Sequence, residues 1–148
     1  MLQGGITMVD GYKISADFAD MDLAVIHEFI SRSYWAKGIP LAIQQRAVEN
    51  SLCFGIFKQS GEQVGFARMI TDRATFAYLA DVFVLEAHQG KGLSKWLMQV
   101  ILEHPELQGL RRMLLATGDA HGLYQQFGFK ALAAPEIYME LHIPNRYE

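Results

Sequence analysis

The chain has 148 residues, a formal net charge of −3 and a pI of about 5.9, and 51% of its residues are hydrophobic while 20% are charged. A chain of this length and composition buries a substantial core and is most simply one domain. The acidic balance and the lack of a basic stripe argue against a nucleic-acid partner.

Cysteine, histidine and terminal patterns narrow the class of protein further. The single cysteine, Cys53, excludes an internal disulfide framework and is typical of the reducing cytoplasm, where we expect a small apolar strand residue. The five histidines have no ligand spacing, so no metal site is expected. The chain shows no signal-peptide pattern and no apolar run of roughly 20 residues. We therefore expect a soluble cytoplasmic protein without a membrane partner.

The first part of the chain predicts two helices and the start of an antiparallel sheet. Residues 1–7 carry little pattern and are expected to be a flexible leader to a domain of residues 8–143. Acidic residues within 20–22 are good N-caps for a helix whose apolar residues recur at helical spacing. A polar turn at 59–62 lies between two apolar runs and predicts a hairpin. The predicted elements are strand 12–14, helix 23–30, helix 41–50, strands 52–58 and 63–70, and strand 75–84.

The second part predicts one long helix between two buried strands. The apolar run Val82–Leu85 suits a strand buried on both faces, and an amphipathic helix starts at Leu93 and ends before Pro105. Because this helix separates two strands, the strands are expected to be parallel neighbours with a right-handed crossover. The elements predicted after the helix are strand 113–116, helix 120–127, and strands near 129–132 and 137–142. The whole order predicts an α+β fold: a single mixed, mostly antiparallel sheet flanked by helices, with one parallel β-α-β crossover.

The turn between the apolar strand and the long helix is the most informative stretch. Its residues, Gln89 to Ser94, include two glycines and hand free backbone amides to the first turn of a helix. The helix dipole and the charge of Lys91 favour a phosphate or pyrophosphate there. The spacing fits neither a Walker loop nor a dinucleotide-binding fingerprint. The alternative is a plain strand-to-helix turn whose glycines only satisfy geometry.

Two motifs in this order resemble those of one family. Gln89-x-x-Gly92-x-Ser94 resembles the Gln/Arg-x-x-Gly-x-Gly/Ala signature of the GNAT superfamily of acyl-CoA-dependent N-acetyltransferases, with a serine at the usual Gly or Ala position. The segment from Ala120 through Tyr124 to Phe129 is similar to the family's Ala-x-x-x-Tyr-x-x-x-Gly-Phe pattern. The resemblance extends from about residue 12 to residue 141. It implies the GNAT fold, in which the sheet order above recurs.

The resemblance implies acetyl-CoA as the acyl donor and assigns residues to it. In the family, the glycine turn wraps the pyrophosphate of coenzyme A, and the pantetheine arm bonds to strand amides in a gap between two splayed strands. Thr117 stands where many relatives carry an asparagine that contacts the arm. The cofactor-binding residues implied in this chain are Phe83, Val84, Leu85, Gln89, Gly90, Lys91, Gly92, Leu93, Ser94 and Thr117.

Acyl transfer to an amine needs a free amine, a stabilised oxyanion and a proton for the leaving thiolate. Tyr124 matches the family's tyrosine that is often the general acid, and a phenol with a pKa near 10 can supply that proton; the alternative is a packed aromatic. Asp81 interrupts an apolar strand and is either the general base or a buried, hydrogen-bonded structural carboxylate. Glu86, His27 and His121 are weaker candidates for the base.

The linker between the first two helices is expected to border the acceptor. By the resemblance, Tyr34 and Trp35 line the substrate site for a small-molecule amine, the alternative being that they cap the core. The function expected is N-acetyl transfer from acetyl-CoA to the primary amine of a small molecule, by a monomer or homodimer. The competing interpretation is a non-catalytic acyl-CoA-binding sensor or interaction module of the same fold.

Overall fold

The computed structural model describes residues 8–148, and the predicted leader, residues 1–7, lies outside the described residues. The described chain forms five strands and four α-helices, joined by short 3-10 turns at Phe18–Asp20, Glu86–His88, Pro105–Leu107 and Pro135–Ile137. In chain order the main elements are β1 (Tyr12–Ser15), α1 (Leu23–Ile30), α2 (Leu41–Glu49), β2 (Leu52–Lys58), β3 (Gln63–Thr71), β4 (Phe76–Val84), α3 (Leu93–Glu103), β5 (Arg112–Leu115) and α4 (His121–Gln125).

The strands form one mixed sheet in the order β1-β2-β3-β4-β5. The first four strands are antiparallel neighbours, and β5 is parallel to β4 after the α3 crossover. Neighbouring strands in sequence are therefore neighbours in the sheet throughout. The predicted mixed, mostly antiparallel sheet with a single parallel crossover is confirmed.

The helix starts follow from local chemistry. Asp22 caps α1, because its Oδ1 accepts hydrogen bonds from the backbone amides of Ala24 and Val25. Pro40 precedes α2, and a proline is tolerated there because the first amides of a helix lack internal partners. In α3 the apolar residues recur at helical spacing and bury one stripe against the sheet.

Two core clusters lie on the two faces of the sheet. Consecutive residues of β2 point to opposite faces of the sheet. Phe54 therefore lies in the cluster on the α3 side, which we call the first cluster, and Cys53 lies in the cluster on the α1 side, which we call the second. The first cluster includes Phe54, Ile56, Met69, Leu97 and Ile101, and the second includes Ile26, Ile30, Phe66 and Phe83. Cys53 is buried in β2, as expected for a small apolar strand residue, and burial raises the pKa of its thiol to about 12.

The two strands predicted near 129–132 and 137–142 are wrong. In the described chain, no strand follows β5, and residues 135–137 form a 3-10 turn instead. The apolar alternation after Pro135 is genuine, but a strand needs a hydrogen-bonded neighbour as well as a pattern. Met139 and Leu141 are 98% and 96% exposed, so this segment runs outside the sheet. The chain then ends with Tyr147 packed on the second cluster.

Candidate active site

The sheet opens between β4 and β5. The two strands pair from Phe76 with Arg112 to Leu79 with Leu115, and the pairing then stops, although β4 continues to Val84. Within residues 8–148, the remaining stretch of β4 pairs with β3 alone. Its other side is a free backbone edge that faces a gap between the two strands.

A β-bulge in β4 accounts for this opening. Between the register pairs Phe66–Phe83 and Arg68–Ala80, one residue of β3 faces two residues of β4, the first of which is Asp81. Asp81 has a φ of 55°, a left-handed conformation that Asp adopts more readily than most residues. A bulge bends its strand and increases the local twist. This one begins at Asp81, two residues after Leu79, the last residue of β4 that pairs with β5, and it therefore bends the stretch of β4 that β5 leaves unpaired.

The end of β4 leads through the glycine turn into α3. Gly90 and Gly92 have φ angles of 78° and 85°, and Gly92 is the N-cap of the helix. No described side chain caps this end, so the first amides of α3 are open to a ligand. A hollow of about 130 Å³ adjoins this turn. It is lined by Val84, His88, Gln89, Gly90, Gly92, Leu93, Ser94 and Lys95.

The side chains of this turn point to different tasks. A Cβ built at Gly90 meets no described atom within 4 Å, and one at Gly92 meets only Val9 Cγ2 at 4.0 Å. The positive φ, rather than crowding, is therefore why glycine is needed. Lys91 is exposed, whereas the Leu93 side chain belongs to the first core cluster and leaves only its backbone for a ligand.

Among the predicted strand contacts, Val84 is the one with backbone facing the gap. The Leu85 amide donates to the Val64 carbonyl at 2.8 Å, and the Leu85 carbonyl accepts from the His88 amide at 2.9 Å, so both groups are engaged. Adjacent strand residues direct their backbone groups to opposite sides. The Val84 carbonyl accepts from Gln89 Nε2 at 2.9 Å, which fastens the glycine turn to the strand end. The Phe83 side chain is buried and stacks on Phe29 at 4.1 Å.

A second hollow, of about 620 Å³, lies between α1 and the linker that follows it. Tyr34 and Trp35 line it in a T-shaped pair with ring centroids 5.1 Å apart, and Leu85 forms part of its wall. Tyr34 is 85% exposed, so it does not cap the core. The remaining lining residues are Val25, Glu28, Phe29, Arg32 and Ser33, and Glu28 and Arg32 form an ion pair one helical turn apart.

Asp81 connects β4 to β3 and to this linker. Its Oδ2 accepts from Arg68 Nε at 2.8 Å, and its Oδ1 accepts from the Trp35 indole Nε1 at 2.8 Å. Arg68 also donates from Nη1 to Ser51 Oγ at 3.2 Å. The Asp81 side chain is 7% exposed, so these are charge-assisted bonds in a largely dry setting. They fix the Trp35 ring and compensate the left-handed backbone of the bulge.

Tyr124 and Thr117 lie together in a third hollow, of about 980 Å³, beside β5. The Tyr124 ring is buried in the first core cluster and meets Phe129 edge-on at 5.9 Å. Burial, and secondly the Asp119 carboxylate, raise the pKa of the Tyr124 phenol, so the phenol is protonated at neutral pH. Thr117 Oγ1 accepts from the Ala120 amide at 3.0 Å and so shapes the turn before α4.

The weaker candidates for the base lie apart from one another. His27 Nε2 is 2.8 Å from the Ile39 carbonyl, so this ring joins α1 to the end of the linker. Glu86 is exposed in the 3-10 turn after β4, and His121 is exposed at the start of α4, in the third hollow.

In the described chain, no group of three or more His, Cys, Asp or Glu side chains is arranged to hold a metal. Nor does any described helix have the length and apolarity to cross a bilayer.

Comparison with known proteins identifies the family. Residues 20–129 match the family model of the acetyltransferase (GNAT) family. The chain belongs to the GNAT family. A GNAT acetyltransferase from Xanthomonas campestris pv. campestris is 51% identical in sequence, and its crystal structure matches with a TM-score of 0.90 over 97% of this chain and 99% of that chain.

Two more distant matches resemble the chain in sequence or in fold. An acetyltransferase of the fungus Gibberella zeae is 35% identical over 135 residues, covering 76% of this chain and 75% of the relative. An acetyltransferase from Clostridium acetobutylicum, solved with acetyl-CoA, is 12% identical and has a TM-score of 0.63 over 88% of this chain and 94% of that chain, a likeness of fold alone. Acyl transfer, generally from acetyl-CoA, is the activity of the GNAT family.

The structure distributes the predicted GNAT residues over three hollows. Gln89, Gly90, Gly92 and the start of α3 adjoin the first, Tyr34 and Trp35 line the second, and Tyr124 and Thr117 line the third. Val84 and Leu85, adjacent in sequence, line the first and second hollows respectively. The end of β4 is therefore a wall shared by the first hollow, at the glycine turn, and the second hollow, which Tyr34 and Trp35 line.

Two residues of these hollows and their supports, Arg68 and Glu28, were not predicted from the sequence. Arg68 is a lone cation in the apolar run of β3, and Asp81 is a lone anion in the next strand, so their complementary charges were a signal that the two pair across the hairpin. Glu28 gave no such signal, because a Glu–Arg pair one turn apart on a helix is usually a solvated face.

We expect Asp81→Asn to lower the free energy of unfolding by about 1–3 kcal/mol, because charge-assisted bonds to Arg68 and Trp35 are weakened. The Trp35 indole should become more mobile, which quenching of tryptophan fluorescence detects. Denaturant unfolding measures the stability. Asp10→Asn, at an exposed aspartate, is the control and should change neither quantity. An Asp81→Asn protein with wild-type stability would contradict the structural role of this carboxylate.

Proposed function

We propose that this GNAT protein transfers an acetyl group from acetyl-CoA to the primary amine of a small molecule. The observation that carries the proposal is the shared wall at the end of β4. On one side, a free strand edge leads into an anion-binding helix start, and on the other lies an aromatic hollow. A donor held along the strand edge would meet an acceptor held in the hollow at Val84 and Leu85.

The turn fits the phosphates of the donor. The uncapped amides of α3 and the helix dipole favour an anion, and exposed Lys91 adds a full positive charge. The half-buried hydroxyl of Ser94, in the first turn of the helix, is a further donor for a phosphate oxygen. Within residues 8–148, no atom lies within 4 Å of a Cβ built at Gly90, which leaves room for the ligand. The backbone amide of Val84, on the free edge of β4, is available to hydrogen-bond with the amide groups of the pantetheine arm.

The second hollow supports a small amine as acceptor. Its walls are largely apolar, and the exposed Tyr34 ring and the anchored Trp35 ring offer π-faces that attract a cation. Glu28 contributes a carboxylate to the same hollow, where it is paired with Arg32. A small molecule with an apolar body and an amine suits this lining.

A cytoplasmic location stays a prediction from the single cysteine.

The chemistry assigns separate tasks to these residues. Acetyl-CoA, when bound, supplies the thioester carbonyl that the amine attacks. Tyr124 is protonated at neutral pH and is proposed to give its hydroxyl proton to the leaving sulfur. Both carboxylate oxygens of Asp81 already accept hydrogen bonds, which supports a positioning role for Asp81 through Trp35. With Asp81 in this positioning role rather than that of the predicted base, the amine loses its proton to water at the mouth of the hollow.

Turnover separates the enzyme from the sensor of the same fold. We expect the purified protein, mixed with acetyl-CoA and a panel of small amines, to release free thiol with at least one amine and to acetylate that amine, as mass spectrometry would detect. Coenzyme A should also raise the melting temperature, because a ligand of the native state stabilises it. Stabilisation by coenzyme A without thiol release on a broad panel would favour the sensor instead.

Ser94→Asp tests the phosphate turn without straining the glycines. A carboxylate in the first turn of α3 interacts favourably with the helix dipole, so the melting temperature should not fall. The same charge repels a pyrophosphate, and coenzyme A affinity should drop by roughly 10-fold or more by titration calorimetry. Ser94→Ala is the matched control and should lose much less. Equal affinity in the Asp variant and the wild type would remove the phosphates from this turn.

Tyr124→Phe removes only the proposed acid. We expect turnover to fall by roughly 10²-fold, within the range for a general acid, with little change in coenzyme A affinity. Phe129→Leu, at the ring that packs edge-on against Tyr124, controls for loosened packing and should keep most of the activity. Wild-type turnover in the Phe variant would make Tyr124 a packed aromatic without a role in proton transfer.

A further inference from the structure

The face of α1 that borders the second hollow carries charge as well as apolar surface. Val25, Glu28, Phe29 and Arg32 stand at i, i+3, i+4 and i+7, which is the spacing of one helix face, and all four line the hollow. Arg32 follows the helix in a turn whose amide donates to the Phe29 carbonyl at 3.2 Å. The charged pair therefore lies among the apolar residues of the hollow.

The second hollow presents one positive and one negative side chain to a ligand. Among its described lining residues, Glu28 and Arg32 are the ones with a formal charge at neutral pH. Asp81 lies behind Trp35, but its carboxylate already accepts from Arg68 and from the indole, each at 2.8 Å. A molecule in the hollow therefore meets Glu28 as its anion and Arg32 as its cation.

This ion pair leaves most of its hydrogen-bonding capacity unused. Arg32 Nη2 donates to Glu28 Oε1, and within residues 8–148 neither side chain makes another hydrogen bond. A guanidinium has five N–H donors and a carboxylate has two acceptor oxygens, so both groups can take further partners. The Arg32 and Glu28 side chains are 75% and 65% exposed, and an exposed pair at this spacing contributes little to stability. A ligand can therefore join this pair or replace it with little loss.

We propose that the acceptor is an α-amino acid with an apolar side chain, bound as the zwitterion, with its carboxylate on Arg32 and its ammonium group at Glu28 and the Tyr34 ring. This inference rests on the proposed acetyl transfer and names its substrate class. An amine without a carboxylate places a second cation beside Arg32, whereas a zwitterion pairs both charges of the hollow. The planar guanidinium also matches a carboxylate through two parallel hydrogen bonds.

The apolar part of the hollow fits the rest of such a molecule. Val25, Phe29 and Leu85 are half-buried, so each keeps apolar surface that a ligand can cover. Phe29 is held in place by its stacking on Phe83, and Leu85 by its packing on the second cluster. The hollow, of about 620 Å³, lies within the range of small-molecule sites, roughly 300–1,000 Å³.

The reaction on this acceptor balances without a further reactant. The bound ammonium group first loses a proton to water, and the free amine then attacks the thioester carbonyl. A C–N bond forms and the C–S bond breaks, while Tyr124 gives its proton to the leaving sulfur, as proposed above, and regains one from water. The product is an N-acetyl amino acid without a positive charge. Glu28 and the aromatic rings no longer attract its nitrogen, which favours release.

Matched ligands that differ at the carboxylate test the proposal without requiring turnover. Leucine, methionine and phenylalanine are each compared with the amine that lacks the carboxylate and with the corresponding amino-acid amide. With coenzyme A present, we expect at least one of these amino acids to bind at least about 10-fold more tightly than both of its analogues by titration calorimetry. Binding by none of the three amino acids would overturn the proposal, as would equal affinity for the analogues.

Two variants assign the charges to their residues. Arg32→Gln should weaken amino-acid binding at least about 10-fold and remove the preference over the matched amine, whereas Glu28→Gln should weaken both ligands. Arg46→Gln, at an exposed arginine of α2 outside the hollow, is the matched control and should bind as the wild type does. Circular dichroism confirms that each variant is folded. A folded Arg32→Gln protein that keeps the wild-type preference would contradict the assignment of the carboxylate to Arg32.

Binding and turnover together distinguish this inference from the acetyl-transfer proposal. Tight binding of an amino acid without thiol release from acetyl-CoA would contradict the transfer and leave the amino-acid site in place. Acetylation with equal kcat/KM for an amino acid and its matched amine would keep the transfer and overturn the amino-acid acceptor. We expect kcat/KM to favour the amino acid at least about 10-fold and Arg32→Gln to lose that advantage mainly through KM.

Discussion

The β-bulge at Asp81 is the constraint on which the rest of the structure depends. A parallel pair such as β4 and β5 would otherwise continue to bond along its length, and a continuous sheet leaves no free backbone for a ligand. The left-handed residue bends β4 two residues after its last pair with β5. That backbone conformation is unfavourable for a non-glycine residue, by about 1–2 kcal/mol. The two short bonds from Arg68 and Trp35 offset it.

The same carboxylate links the bend of the strand to the linker that carries the aromatic pair. Arg68 reaches from β3 to Asp81 and to Ser51 at the start of β2, and Ser51 in turn donates to the Ala47 carbonyl at the end of α2. The linker therefore rests on the central strands at Trp35, while His27 joins its far end to α1. Because the linker is hydrogen-bonded at both places, it forms a wall of defined shape, although much of its surface is exposed to water.

The predictability of this chain divides by whether a feature is local. The capped start of α1, the glycine turn and the order of strands follow from short-range chemistry in residues such as Asp22 and Gly92, and the sequence predicts them. The bulge does not follow from its sequence, because Asp81 in an apolar run signals a buried carboxylate without revealing a left-handed backbone. The C-terminal strands fail for a different reason, since alternation is a property of one segment and pairing is a property of two.

The site residues divide in the same way. Gln89 lies in the glycine turn, where its side chain donates to the Val84 carbonyl, a contact that its motif did not predict. The engagement of both Leu85 backbone groups depends on the β3 register and on the 3-10 turn, which no side-chain pattern encodes. The second hollow likewise depends on where α1 lies relative to β4, which is a result of long-range packing.

The burial of Cys53 has a consequence for chemistry outside the fold. This thiol is buried and has a pKa of about 12, so it is protonated at neutral pH and inaccessible to electrophiles. Since it is the single cysteine in the chain, the folded protein offers solvent no thiol of its own. An activated thioester can therefore rest beside this protein without self-acylation at sulfur. Any labelling of Cys53 by a thiol reagent reports that the sheet has opened.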